Sequence, residues 1–231
     1  MLRAPFEPLH ARLSLSLGTG LPVVARPVLP SDRERLRIGF EALSDRSKYL
    51  RFFAPHPTLT DAELRYLTEV DHVHHAAWGL LSGDQRQGDA LSEANSGLGI
   101  GRFVRLPSQP DAAEFSLTVA DAAQGDGVGR LLLALLLVHA GQVEVATLIG
   151  LVDDANTTVV GWMRRLGLRP RRSADGLQFS LPTEGSAWPE ATPSSAALFR
   201  AVHQVEAAWQ RDLGAQAAAL PLREDHVQND A

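Results

Sequence analysis

The chain has 231 residues, a length for one or two domains, and 45% of them are hydrophobic, enough to bury a core. Asp and Glu outnumber Lys and Arg by 27 to 22, a formal net charge of −5, so no general polyanion-binding surface of the kind nucleic acid needs is implied. The absence of cysteine removes disulfides, thiolate nucleophiles and cysteine metal sites, and no apolar run is of membrane length, so a cytoplasmic protein away from the membrane is expected.

After a loose N-terminal tail, Leu13, Leu15 and Leu17 alternate with polar residues, and Gly18-Thr19-Gly20 turns the chain into Val23 to Val28, a hairpin pattern. Ser31 and Glu34 have the spacing of a capping box, opening a helix with Leu36, Phe40 and Leu43 on its apolar stripe. A second short helix is expected over Ser44 to Phe53. A third follows Thr60 and Glu63, another capping box, with Leu59 able to staple to Leu64. His72, His74 and His75 invite a metal reading, but His74 and His75 cannot share a strand face and no carboxylate completes a site, so none is expected. His75 to Leu81 reads as a strand, and Ser82 to Ser96 as a polar hairpin loop. Strands return over Gly97 to Arg105 and Asp111 to Ala120.

The next stretch organises the rest. Leu117 and Val119 end a half-buried strand, and from Val128 the apolar period becomes helical, through Leu131, Leu132, Leu135 and Leu136. Leu133, Leu137 and Val138 fill the other faces, so this helix should be covered on most sides. Between the two lie Gly125, Gly127 and Gly129. Such a loop lets backbone N–H groups approach a ligand, and the helix that it opens has unpartnered N–H groups and a dipole favouring an anion. The pattern fits a phosphate cradle. A plain connecting turn is the bland competitor. A dinucleotide fold is a second, with Asp153 or Asp154 as the acid about 20 residues on, but the glycines run G-x-G-x-G and four residues, Asp121 to Gln124, separate them from the strand.

Beyond the leucine helix, Val145 to Val152 has strand length, and Thr157 to Leu166 forms a helix ended by Gly167. Leu177 to Leu181 alternates as a last strand, so the class is α/β, a mixed sheet flanked by helices. Pro182 to Ser195 has linker composition. Ala196 to Leu220 carries Leu198, Val202, Val205, Trp209 and Leu213 on one helical face, and a polar tail ends the chain. That stripe could dock on the domain, pair two copies into a homodimer, or bind another partner. The expected division is a domain over 1–182 and a linker with a C-terminal amphipathic helix over 183–231.

Leu117-x-Val119 followed by Gln124-x-x-Gly127-x-Gly129 resembles the coenzyme A signature of the GNAT superfamily of N-acetyltransferases. Asn156 with Leu166-Gly167-Leu168 resembles the family's second block, at the family's usual spacing from the first. Gly18 to Val23, Arg26-Pro27 and Ser47 to Phe53 are similar to the catalytic domain of bacterial protein-lysine acetyltransferases. The resemblance implies a GNAT-like, largely antiparallel mixed sheet with a C-terminal helical extension. It implies acetyl-CoA as cosubstrate, without a metal, and an amine acceptor, either a protein lysine or a small molecule.

The resemblance also assigns roles. Backbone groups of Gln124, Gly125, Gly127, Val128, Gly129 and Arg130 would hold the pyrophosphate. The pantetheine would lie along Leu117, Thr118 and Val119, where a bulge splays the strand, and Asn156 would close the cofactor site. Glu114, by its place in Ala113-Glu114-Phe115, matches the family's catalytic glutamate. A lysine-type ammonium has a pKa of about 10.4, so only about one amine in a thousand is nucleophilic at neutral pH and a carboxylate base is needed. The tyrosine that many members place seven residues after the asparagine is Met163 here, which can do no acid chemistry. A coenzyme A-binding module without catalysis is the alternative function.

Overall fold

The alternating leucines near the N-terminus form one edge of an eight-stranded sheet in the computed structural model, which describes residues 11–83, 97–184 and 192–219. The expected tail before residue 11, most of the polar loop (84–96), part of the linker (185–191) and the end of the chain from residue 220 lie outside the described residues. The strands are Leu13–Ser16 (β1), Pro22–Pro27 (β2), His75–Ser82 (β3), Gly97–Leu106 (β4), Gln109–Val119 (β5), Thr147–Val152 (β6), Arg171–Ser173 (β7) and Gly176–Pro182 (β8). Their order is β1-β2-β3-β4-β5-β6-β8-β7, and every neighbouring pair is antiparallel except β5 with β6. The sheet is therefore mixed and largely antiparallel, as expected. Strand β7 is an addition: three exposed residues with no apolar alternation carry no readable strand pattern.

Helices Arg33–Glu41 (α1), Asp45–Phe52 (α2) and Asp61–Thr68 (α3) follow β2. Val128–Gln142 (α4) joins the parallel pair β5 and β6, Thr157–Arg165 (α5) follows β6, and Pro193–Ala219 (α6) ends the described chain. The Thr60–Glu63 capping box forms, with Thr60 N–H donating to Glu63 Oε2 at 2.8 Å and Glu63 N–H donating to Thr60 Oγ1 at 3.3 Å. The box expected between Ser31 and Glu34 does not. Pro30–Asp32 is a 3-10 turn, and α1 begins at Arg33 with Asp32 as its N-cap, one residue later than the Ser31 spacing implies. Asp32 makes the reach-back instead, accepting from Leu29 N–H at 2.9 Å, while Glu34 pairs with Arg37. Arg26 and Arg35 hold the Asp32 carboxylate in this place, and Arg37 engages the Glu34 carboxylate that would have reached back to Ser31.

The two faces of the sheet are covered differently. On one, α4 is buried on nearly every side: Leu132, Leu133, Leu135 and Leu136 are fully buried. The sheet covers one side of it and α6 the other, which is why the helix is apolar all round. In α6, Leu198, Val205, Ala208 and Trp209 join this main core, with Val202 and Leu213 packed at its margin. The stripe that could have paired two copies is thus buried within its own chain. On the opposite face, Phe40, Leu43, Leu59, Leu64 and Leu67 form a smaller cluster under α1 and α3.

His139 of α4 knits the large core together. Its Nδ1 accepts from the Trp78 indole N–H at 2.8 Å, and its Nε2–H donates to the His72 carbonyl at 2.8 Å. Because indole can only donate and a carbonyl only accept, the imidazole is the neutral Nε2–H tautomer. Burial pushes its pKa down to about 3. The histidines before β3 have structural places: Asp71 Oδ1 accepts from the amides of Val73, His74 and His75, and His72 N–H donates to the His75 carbonyl. Among the described residues, no cluster of three His, Cys, Asp or Glu could hold a metal ion, and no helix is long and apolar enough to cross a membrane.

Candidate functional site

The parallel ladder between β5 and β6 is short. It runs from Ala112–Thr147 to Phe115–Gly150 and then stops, although both strands continue. At the point of divergence the Phe115 ring lies over Gly150, where an added Cβ would sit 2.8 Å from the ring. Beyond it, Ser116 to Val119 pairs only with β4. The register with β4 is unbroken from Gly99–Val119 to Arg105–Ala113, so no bulge in β5 causes the splay; the irregularity comes later, between Arg105 and Leu106. The expected bulge is therefore replaced by a ladder that ends.

Which backbone groups face the gap follows from the pairing. Ala120 N–H donates to the Leu98 carbonyl, so even-numbered residues of this segment exchange hydrogen bonds with β4. In an antiparallel pair the odd ones then point the other way. Leu117 and Val119 present their N–H and C=O groups to the gap, and among described residues only the Val119 carbonyl has a neighbour there, Gln124 Nε2 at 3.4 Å. Thr118 differs: its backbone is spent on β4 and its side chain lines a cavity on the α1–α3 face.

The gap opens onto the glycine loop. Gly125 and Gly127 have φ of +92° and +93°, left-handed values that side-chain-bearing residues rarely adopt. Gly127 is the N-cap of α4 and supplies no side chain to the first turn, so the helix's leading N–H groups are uncapped. Val128 turns its side chain into the core and offers only its amide, while Gly129 lies against Val119. Arg130 reaches back across the loop. Its Nη1 would lie 3.9 Å from a Cβ on Gly127 and 3.7 Å from one on Gly18 in the β1–β2 turn, and its Nε is buried without a partner among described residues. Uncapped amides, a helix dipole and a nearby guanidinium fit a phosphate group.

Asn156 sits beyond the C-terminal end of β6, at the same end of the split as the glycine loop because β5 and β6 are parallel. Its Oδ1 caps α5 by accepting from Val159 N–H at 3.2 Å. Asp153 and Asp154, the acids a dinucleotide fold would need, are engaged elsewhere: Asp153 with Ala155 N–H and Asp154 with Arg172. Met163 is buried in the core.

Glu114 stands at the other side of the split, exposed, on the α1–α3 face and in register with Val104 of β4 and, through it, His75 of β3. Sequence reasoning missed two groups of residues, one beside Glu114 and one ahead of the glycine loop. The first is an arginine pair. Burial holds the Arg51 guanidinium below its ordinary value, opposed by the charges of Glu114 and Tyr66. Arg102, buried more deeply, is pushed down to about 9 by burial and by Arg51, and donates to the Leu67 carbonyl and to His75 Nε2, at 3.0 and 2.9 Å. His75, itself pushed down to about 4 by burial and by Arg102, accepts as the neutral ring.

The second group is a latch around Asp121. Its carboxylate accepts from Ser44 N–H at 2.7 Å, Ser47 Oγ–H at 2.5 Å and Gln124 Nε2–H at 3.1 Å, and these bonds hold its pKa below the usual value. The latch ties the start of α2 to the turn that precedes the glycine loop. The Gln124 side chain therefore braces the loop from behind. In the sequence this region reads only as a second short helix over Ser44 to Phe53.

Comparison with known proteins identifies the family and the fold. The chain is 34% identical over 155 residues to the acetyltransferase Pat of Mycolicibacterium smegmatis, an overlap of 67% of this chain and 44% of that protein, so it spans less than half the length of this relative. The crystal structure of the GNAT domain of S. lividans PAT matches with a TM-score of 0.67 at 27% identity, over 77% of this chain and 99% of that one. An acetyltransferase-fold protein from Salmonella typhimurium, solved with its cofactor acetyl-CoA, shares the fold at 16% identity and a TM-score of 0.53, over 73% and 98% of the two chains. Residues 23–169 match the family model of the GNAT acetyltransferase domain, and with the split sheet and the uncapped glycine loop in register the chain belongs to that family.

Proposed function

We propose that this chain is a cytoplasmic N-acetyltransferase that moves an acetyl group from acetyl-CoA to a primary amine, a protein lysine or a small molecule, with Glu114 as general base. The observation that carries the reading is the split between β5 and β6 opening onto an uncapped helix N-terminus. The amides from Gly125 to Arg130 would take the pyrophosphate, with the Arg130 guanidinium beside it. The backbone groups that Leu117 and Val119 turn toward the gap would pair with pantetheine amides, a strand addition by the cofactor. Asn156, already a helix cap, would border the cofactor at the far wall.

When bound, acetyl-CoA supplies the acyl group as an activated thioester. The amine nitrogen attacks the thioester carbonyl, a C–N bond forms and the C–S bond breaks. Glu114 takes the proton the nitrogen sheds and returns it to water. Solvent protonates the departing sulfur, which a thiol's modest basicity allows. The buried Met163 favours the runner-up reading, a binding module without turnover, because it leaves no acid at that position.

Gly127→Val tests the cradle. A β-branched side chain at φ of +93° is strained and would occupy phosphate space, so acetyl-CoA affinity should fall in a folded variant; unchanged affinity by calorimetry removes the cradle. Glu114→Gln tests the base: acetyl-CoA affinity should hold while turnover drops roughly 10²- to 10⁴-fold and follows the free-amine fraction with pH. Superimposable pH–rate curves for the two proteins remove Glu114 from the mechanism.

A further inference from the structure

A cavity of about 130 Å³ lies between the α1–α3 layer and the sheet, reaching Thr118 on the splayed strand. Its body is apolar, walled by Leu36, Phe40, Leu43, Leu59, Leu67 and Ile100. Its charged lining is one-sided: Arg26, Arg35, Arg51 and Arg102 against the single acid Asp32. Three of these arginines are engaged. Arg26 grips Asp32 with two bonds of 2.6 and 2.7 Å, Arg35 joins it at 2.7 Å, and Arg102 is held by the Leu67 carbonyl and His75. Arg51 is not. It lies over the Phe52 ring and feels Glu114 electrostatically, but makes no hydrogen bond to any described residue. It also repels Arg102. A half-buried guanidinium with unused donors on an apolar cavity, beside a second cation, is suited to an anion, and a carboxylate matches its planar fork.

We propose that the acceptor is a free α-amino acid with an apolar side chain, leucine-like in size, whose side chain enters this cavity, whose carboxylate sits on Arg51 and whose amine faces Glu114. The inference rests on the acetyltransferase reading above and narrows its acceptor. The volume suits one such side chain, since an apolar cavity of about 150 Å³ accommodates benzene. Arg51 and Glu114, opposite charges within electrostatic reach, match the opposite charges that an amino acid carries on one carbon. A lysine side chain from a protein would instead bring its ammonium toward an excess of guanidinium groups. In the reaction the amino acid's nitrogen gives a proton to Glu114, forms the amide bond with the acetyl carbon and releases coenzyme A as the thiol; the products are an N-acetylamino acid and free coenzyme A.

The test uses the full chain with acetyl-CoA, following thiol release with leucine, leucinamide, alanine and Nα-acetyl-lysine, together with calorimetric binding of leucine to the coenzyme A complex. Leucine should exceed leucinamide in kcat/KM by about 10- to 100-fold, the worth of a charge-assisted bond to its carboxylate. It should exceed alanine by roughly 10- to 50-fold for the buried methyl and methylene groups. Arg51→Leu should bring the leucine-to-leucinamide ratio close to one. Equal rates for leucine and leucinamide in the unmodified chain, preference for Nα-acetyl-lysine, or no leucine binding would each overturn the inference; the wild-type ratio decides even if the variant does not fold. Turnover of Nα-acetyl-lysine alone sinks only the amino-acid acceptor, whereas failure to bind acetyl-CoA sinks the acetyltransferase reading beneath it.

Discussion

Acid should unfold this protein through His139, and the size of the effect follows from its surroundings. The ring is fully buried, both nitrogens are hydrogen-bonded in the neutral form, and its pKa lies near 3 against 6.5 for a free imidazole. Between those values the unfolded chain binds a proton that the folded chain refuses. Stability is therefore intact above pH 6.5 and falls as pH drops toward 3, by about 1.4 kcal/mol per pH unit from this residue. From pH 6.5 to 4.5 the loss is about 2 to 3 kcal/mol, a large share of a typical domain's stability. His139→Phe removes the titration, at a fixed cost of roughly 1 to 3 kcal/mol for each of the Trp78 N–H and His72 carbonyl left unpaired. Urea unfolding of both proteins at pH 7.5, 6.5, 5.5 and 4.5 separates the two effects, because only the wild type carries the extra slope. His75, also depressed, titrates in both proteins and cancels in the comparison. Parallel stability curves would show that the buried imidazole is not the acid-sensitive group.

Trp209→Ala should cost about 3 to 5 kcal/mol, the usual price of emptying a buried aromatic site, because its ring packs 5.2 Å from Trp78 and 6.1 Å from His139. Thermal unfolding measures it, and a change under 1 kcal/mol would show that α6 adds little to the core. Truncation after Pro182 should be more severe for the same reason, giving a protein with lowered solubility and stability. Asp121→Ala should leave stability within about 1 to 2 kcal/mol, since the latch is solvent-exposed, yet weaken acetyl-CoA binding by freeing the turn ahead of the glycine loop. Unaltered affinity by calorimetry would mean that the loop holds its shape unaided.

Much of the protein is decided locally and was readable in the chain. Alternation at Leu13, Leu15 and Leu17, the switch of period from Val119 to Val128, the capping box of Thr60 and Glu63, and the glycines at 125 and 127 each act through neighbours a few residues away. Backbone sterics and hydrogen-bond spacing suffice to interpret them. The leucine helix was legible as buried, but its cover was not, since it comes from a helix some sixty residues later in the chain. The Ser31 box gave way to an equally near competitor, Asp32, whose carboxylate is gripped by Arg26 six residues before it.

The working parts of the site belong to the tertiary structure. The point where the β5–β6 ladder ends is set by the Phe115 ring over Gly150, two residues brought together only by strand pairing. Asp121 meets Ser44 across 77 positions of sequence. Arg51 and Arg102, ordinary in the sequence, become two crowded cations on one cavity because α2 folds over the sheet face that carries Glu114. Charge in a sequence has no environment; the burial that shifts Arg51 and Arg102 from their ordinary values exists only once distant elements have closed around them.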